Sequence, residues 1–197
     1  LFETKKDLEN VFSSWDIISG DVKTSENILI YDEAGDHAAM QSAEIAIEQG
    51  SNVSFMTPDR LISSEIMGMN LTPYLKNLQN KNISFLIARR LLDVSITGNK
   101  LNALIGSDYD ESFKYNSTYD QVFVNYGTKP LDELYFQLLP YSKNEGEVDY
   151  DKFIDGYEQN IIKNIDKKFS IFRIGDAVSS RNIHAAIYDA LRLVINI

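Results

Sequence analysis

The chain has 197 residues, 44% of them hydrophobic and 24% charged, with a formal net charge of −10, two histidines and no cysteine. This is the composition of a folded globular protein with room for a real core. The acidic balance excludes a nucleic-acid or anionic-membrane surface, which need clustered Lys and Arg, and the lack of cysteine excludes disulfides, thiol catalysis and iron–sulfur ligation by these residues.

No apolar run approaches the ~20 residues of a membrane helix. No charged and apolar leader opens the chain, which is the pattern of a cytoplasmic protein. It starts at Leu1 without Met and so reads as a fragment of something longer.

Asp7-Leu8-Glu9-Asn10-Val11-Phe12 has local helical character. Trp15-Asp16-Ile17-Ile18 before Gly20 reads as a turn, with Trp15 as a hydrophobic staple. Asn27 to Tyr31 is a short apolar run of the kind that forms a buried parallel strand. After Asp32-Glu33-Ala34-Gly35-Asp36-His37 comes an Ala-rich helix, Ala38 to Gln49, ended by Gly50. A second strand, Asn52 to Met56, completes a βαβ unit of the size a mononucleotide-binding half requires.

A dinucleotide site wants G-x-G-x-x-G after the first strand, so that backbone can approach the pyrophosphate. Here Asp32 and Ala34 take the first two glycine places. Asp32, Glu33 and Asp36 would set negative charge against a diphosphate. This unit is therefore expected to keep the shape and to have lost the phosphate site. Asp32, Asp36 and His37 could instead hold a polar partner or a metal, but their spacing fits no metal signature.

Thr72-Pro73 is expected to open a helix that ends at Asn80 to Asn82, with Pro near its first position. The segment before it, with Met67 and Met69, reads as an adaptable loop. A third strand runs from Ile83 to Ile87. Leu91 to Thr97 and Lys100 to Ile105 form a hairpin about Gly98-Asn99, and Gly106 to Ser117 is an aperiodic polar link. Arg89-Arg90 reads as solvated or ion-paired.

A strand at Gln121 to Asn125 leads into Gly127-Thr128-Lys129-Pro130, followed by a short helix from Leu131 to Leu139. Pro140 to Lys168 is acidic and loop-like. Phe169 to Ile174 reads as the last strand, followed by a Gly175-Asp176 turn and an amphipathic helix from Asn182 to Ile195. Asp176 thus stands at a strand end beside a helix start, where ligands of open α/β sheets sit. It can accept hydrogen bonds from ribose or ribityl hydroxyls, or simply cap the helix. His184 lies in the first turn of that helix, for a polar contact or for packing. Tyr188 and Asp189 read as packing and surface residues. Nucleophile elbows, Walker loops and zinc or calcium patterns are absent.

The fold class expected is α/β, with Rossmann-like parallel sheets and helices on both faces. Two interleaved lobes are expected, residues 1–24 with 118–197 in one and 25–117 in the other.

Two motifs carry a resemblance. Ile174-Gly175-Asp176-Ala177 with Arg181-Asn182-Ile183-His184-Ala185-Ala186-Ile187-Tyr188-Asp189-Ala190 resembles the last motif of flavoproteins with two dinucleotide-binding domains. Asp120-Gln121-Val122-Phe123-Val124-Asn125-Tyr126-Gly127-Thr128-Lys129-Pro130 resembles their return strand, and Ser14-Trp15-Asp16-Ile17-Ile18-Ser19-Gly20 their linker to an inserted lobe. The likeness is to the trimethylamine dehydrogenase-like branch of the old yellow enzyme family, which includes dimethylglycine and N-methylproline demethylases.

That resemblance implies the C-terminal part of a flavin-dependent oxidoreductase acting on methylated amines. FMN and an iron–sulfur cluster would lie in a separate upstream (β/α)₈ barrel, so this segment would be catalytically silent alone. The resemblance implies an ADP or FAD nucleotide held through Gly175, Asp176, Ala177, Gly127, Arg181 and His184. It also implies an inserted lobe, NAD(P)-like in fold but without cofactor. The partners implied are the missing barrel and nucleotide lobe of the same chain and an electron-transfer flavoprotein, with oligomeric assembly left open. Two other readings stand beside it: a non-enzymatic α/β interaction module docking through its acidic loop, and a reductase lobe that binds NAD(P)H without the usual glycines.

Overall fold

The computed structural model describes residues 8–194, which divide after Gly127 into two compact units. In the first unit the elements are β1 (Val11–Ser13), α1 (Ser14–Ile18), β2 (Asn27–Asp32), α2 (His37–Glu48), β3 (Asn52–Met56), α3 (Gly68–Leu78), β4 (Ile83–Leu86), β5 (Arg90–Thr97), β6 (Lys100–Gly106), β7 (Tyr115–Tyr119) and β8 (Gln121–Asn125). A five-stranded parallel sheet has the order β1-β8-β2-β3-β4, and β5-β6-β7 form an antiparallel meander.

Alternation along the strands divides the core in two. Ile28, Ile30, Phe55 and Phe123 pack with Ile17 of α1 and with Ala39, Met40, Ala43 and Ala46 of α2. The small alanines let α2 lie close to the sheet. Leu29, Tyr31, Val122 and Val124 point the other way, against Leu91, Val94, Leu101, Ala103 and Ile105 of the meander. The α/β Rossmann-like architecture expected from the βαβ pattern is what forms. Helices cover one face of its sheet and the meander covers the other.

One correction concerns domain organisation. Gln121–Asn125, expected to lead back into a lobe shared with residues 1–24, lies inside the sheet of the supposed inserted lobe, between β1 and β2. Its five residues are all buried. A strand that apolar needs neighbours on both edges and cover on both faces, and this sheet supplies them. The units are therefore consecutive rather than interleaved.

Local expectations fail where tertiary pairing overrides propensity. Asp7 lies outside the described residues, but Leu8–Phe12 is not helical, because Val11 and Phe12 pair with Val122 and Phe123. Trp15 is no staple. Asp16 accepts hydrogen bonds from Ser13 N–H and Oγ and starts α1, which turns Ile17 inward at 1% exposure and leaves Trp15 55% exposed. The helix expected from Thr72 begins at Gly68, with Pro73 inside it. The link 106–117 holds the start of β7, missed because only Tyr119 of that strand is buried.

The second unit holds α4 (Glu133–Leu138), α5 (Tyr150–Asp155) and α6 (Ile183–Val194), with 3-10 turns at Leu139–Tyr141 and Gly175–Ala177. The acidic stretch expected to be loop contains α5, N-capped by Asp149 and stopped by Gly156 at φ +75°. Phe169–Ile174 is not a strand, because no segment among the described residues of this unit forms a ladder with it.

Candidate functional site

In the first unit, β2 leads through α2 to β3 on one side and borders β8 on the other. The crevice between the carboxyl ends of β2 and β8 is where such a sheet receives a nucleotide. Asp32 and Asn125 face each other across it. Phosphate binding there needs free backbone N–H groups in the turn after β2, and the turn uses them itself. Glu33 and Ala34 N–H donate to the Asn125 carbonyl at 2.9 and 3.2 Å, and Gly35 N–H donates to Asp32 Oδ1 at 2.9 Å. Asn125 Nδ2 donates to Asp32 Oδ1 at 3.0 Å and to Asp36 Oδ1 at 2.8 Å. Asp36 Oδ1 also accepts from Ala38 N–H at 3.0 Å, capping α2.

Asp32 is fully buried and its Oδ2 has no partner among the described residues. Burial pushes its carboxyl up to about 6, and the nearby Asp36 charge adds to the shift, against the opposing hydrogen bonds from Gly35 and Asn125. Gly35 closes the turn at φ +70°, and a Cβ there would lie 2.7 Å from Ser64 Oγ. A diphosphate would meet consumed amides and carboxylates, so these residues do not fit NAD(P). His37 does not join the acidic pair as a metal ligand. Its Nδ1 is 3.1 Å from the Tyr74 hydroxyl, and among the described residues no cluster of metal-ligating side chains forms.

Beside this turn, Arg90 donates to Glu33 at 2.8 Å and to both carboxylate oxygens of Asp108 at 2.5 and 2.6 Å. It ties the meander to the residue after β2. Tyr31 and Tyr126 meet edge to face at 5.8 Å, and burial lifts both hydroxyls well above the usual phenol range. Gly127, at φ +82°, follows β8 in this unit, where a Cβ would lie 3.6 Å from that of Ala34. It is thus a neighbour of the closed turn.

In the second unit, Gly175 is buried at φ +56°, and a Cβ there would come 3.0 Å from the Ala186 Cβ of α6. The glycine lets the turn lie on the helix. Asp189, read from the sequence as a packing or surface residue, holds the arrangement. Its Oδ2 accepts from Gly175 N–H at 3.1 Å and from the Arg181 guanidinium. The signal for it was its place two helical turns after Asn182, whose Oδ1 caps α6 through Ala185 N–H at 2.9 Å.

Arg181 N–H reaches Asp176 Oδ1 at 3.4 Å, while the Asp176 carboxylate stays exposed, as does His184 in the first turn of α6. A cavity of about 280 Å³ opens beside the turn, lined by Tyr150, Phe153, Phe172, Ile174, Arg181 and Asp189. Gly175, Asp176, Ala177, Arg181 and His184 therefore come together, and Gly127 belongs to the other unit. Asp176 is the exposed carboxylate of this turn, and the Arg181 guanidinium is paired with Asp189.

Gly175→Ala should destabilise the second unit by about 1–2 kcal/mol, because a left-handed backbone angle and a tight Cβ contact act together. Denaturant unfolding against Ser179→Ala checks this. Equal midpoints for the two variants would remove the argument for a close approach.

No family model matches the chain. It is 53% identical over 189 residues to a probable N-methylproline demethylase of Rhizobium meliloti, covering 96% of this chain and 28% of that protein. It is 31% identical over 196 residues to the N,N-dimethylglycine/sarcosine dehydrogenase of Chromohalobacter salexigens, covering 98% of this chain and 28% of that protein. Among solved structures, the 6-hydroxypseudooxynicotine amine oxidase of Pseudomonas geniculata superposes with a TM-score of 0.67 at 19% identity, over 94% of this chain and 24% of that one. The chain thus spans little more than a quarter of the curated relatives it matches.

Proposed function

We propose that the chain is a segment of a flavin-dependent oxidoreductase acting on methylated amines, as the names of the relatives it matches, a probable N-methylproline demethylase and an N,N-dimethylglycine/sarcosine dehydrogenase, suggest. The 53% identity over nearly the whole chain carries this reading. The segment's own work is to bind and to pack. The turn Gly175–Ala177 presents Asp176 to ribose hydroxyls of an ADP or FAD nucleotide, bordered by His184 and by Arg181, whose guanidinium Asp189 holds in place. The first unit is a packing lobe whose nucleotide crevice is closed by Asp32, Asn125 and Asp36.

Flavin supplies the hydride-accepting chemistry in such enzymes. In this reading FMN and an iron–sulfur cluster belong to another part of the longer protein, and this chain has no cysteine that could ligate a cluster. An electron-transfer flavoprotein takes the electrons. No helix among the described residues is long and apolar enough to cross a membrane.

The test is the longer protein carrying these residues, mixed anaerobically with N-methylproline or dimethylglycine while its flavin absorbance is followed. Bleaching by either amine is expected. Loss of bound ADP or FAD by at least about tenfold in affinity is expected for Asp176→Ala, as for the loss of a charged hydrogen-bond acceptor. A protein without flavin, or one whose adenine nucleotide is indifferent to Asp176, would contradict the proposal.

A further inference from the structure

At the amino ends of β2, β3 and β4, the end of the sheet opposite the closed crevice, the two layers of the first unit part. Along the carboxyl halves of these strands the face towards the meander is apolar, with Leu29, Tyr31, Met56 and Leu86 packed against it. Alternation brings Asn27, Asn52, Ser54 and Ser84 to the same face earlier in the strands. Side chains of that kind do not close a dry layer, and a cavity of about 610 Å³ lies there. Lys100 and Thr118 of the meander, and Lys81 just before β4, line it as well.

Part of this lining is fixed and part is free. Asp120 Oδ2 accepts from Asn27 N–H at 2.9 Å, Asp120 Oδ1 holds Lys100 Nζ at 3.1 Å, and Asn52 Nδ2 donates to Asn27 Oδ1 at 3.1 Å. These bonds set Lys100 and the two amides in place beforehand, which lowers the cost of binding. The hydroxyls of Ser54, Ser84 and Thr118 and the Lys81 ammonium have no partner among the described residues. Charge points the same way. The chain carries 29 acidic against 19 basic residues, yet the cavity is lined by two lysines and by no Asp or Glu. Asp120 offsets Lys100 and leaves the Lys81 charge uncompensated. A cleft lined by one sign of charge gathers ions of the other.

We propose that this cavity is a binding site for a small hydroxylated anion, the chemistry shared by sugar phosphates and sugar acids. Lys81 and Lys100 take the anionic group, each as a point charge with rotatable donors. Ser54, Ser84, Thr118 and the Asn52 amide take the hydroxyls, because hydroxyls and amides both donate and accept. The volume lies within the range of roughly 300–1,000 Å³ usual for small-molecule sites. The site belongs wholly to the first unit and is independent of the turn at Gly175.

Titrating the ¹⁵N-labelled chain with ribose 5-phosphate, with gluconate and with neutral glucose tests it. Saturable shifts are expected at the amides of Asn52–Ser54, Ile83–Ser84, Lys100 and Thr118 with at least one of the two anions. Whichever anion binds more tightly identifies the anionic group as phosphate or carboxylate. Glucose should bind at least about tenfold more weakly, because it offers the hydroxyls without the charge. Lys81 is exposed, so Lys81→Gln should keep the fold and weaken anion binding by about tenfold. Lys114→Gln, at an exposed lysine outside the cavity, should leave binding unchanged. Shifts that fail to saturate with either anion would overturn the proposal. So would equal affinity for glucose, or a Lys81→Gln variant that binds no more weakly than Lys114→Gln.

Discussion

Phe123→Ala should cost the first unit about 3–5 kcal/mol, towards the upper end of large-to-small core substitutions. Phe123 is 0% exposed on the innermost stretch of β8, and its ring stacks on Phe12 at 5.5 Å. It packs in one cluster with Ala39, Ala43 and Ala46. Those side chains are too short to move into the void, so the cavity stays open and its cost adds to the lost transfer energy. The change also loosens β8 from both neighbours, β1 and β2. Phe136→Ala, at a half-exposed site in α4, should stay within about 0.5 kcal/mol of the parent. Urea midpoints at a common slope measure both. A loss below about 1 kcal/mol for Phe123→Ala would mean that β8 is not the inner strand of this sheet.

Asp32→Asn should stabilise the first unit at pH 8 and do nothing for it near pH 4. The carboxyl is raised from an ordinary 3.8 to about 6, first by burial. Between those values the folded state binds more protons than the unfolded state. Stability therefore falls as pH rises from about 4 to 6, and the deficit is complete above 6. The shift corresponds to about 3 kcal/mol. Asparagine keeps an oxygen to accept from Gly35 and Asn125 but puts an NH₂ where Oδ2 had no partner. The net gain expected is therefore about 1–3 kcal/mol, since an unpaired buried amide costs part of the charge term. Guanidinium unfolding at pH 4 and pH 8 reads it directly. A variant that is weaker than the parent by the same amount at both values would show that hydrogen bonding, not charge burial, dominates at this position.

Elements set by local pattern were legible in the sequence. The apolar run from Asn27, the Ala-rich helix and the strand from Asn52 formed within a residue or two of expectation, because each has a period and a punctuating Asp36 or Gly50. The hairpin about Gly98 was legible for the same reason. Partner choice was not. Gln121-Val122-Phe123-Val124-Asn125 reads as a buried strand, but its pattern carries no information on which sheet receives it. β7 showed no alternation, because one buried tyrosine gives none. Phe169–Ile174 has the composition of a strand and lacks a partner within these residues, so composition alone overstated what the chain can complete.

Sites followed the same division. The missing glycines after β2 were plain in the sequence, while the mechanism of closure was not. It takes the Asn125 carbonyl and amide, 90-odd residues away, to consume the turn's donors and bridge the two aspartates. Gly175, Asp176 and Arg181 were legible as a motif. Asp189, which binds both Gly175 and Arg181, was hidden among packing residues because its role depends on α6 lying against the turn.

The first unit has a nucleotide-shaped fold whose crevice is already filled from within by Asp32, Asn125 and Asp36. Titrating the ¹⁵N-labelled chain with NADH, and following the amides of Glu33–Gly35 and Asn125–Gly127, addresses this directly. These resonances should stay in place at millimolar NADH. Saturable shifts confined to them would mean that the crevice opens for a dinucleotide, and the closure by Asp32, Asn125 and Asp36 would be refuted.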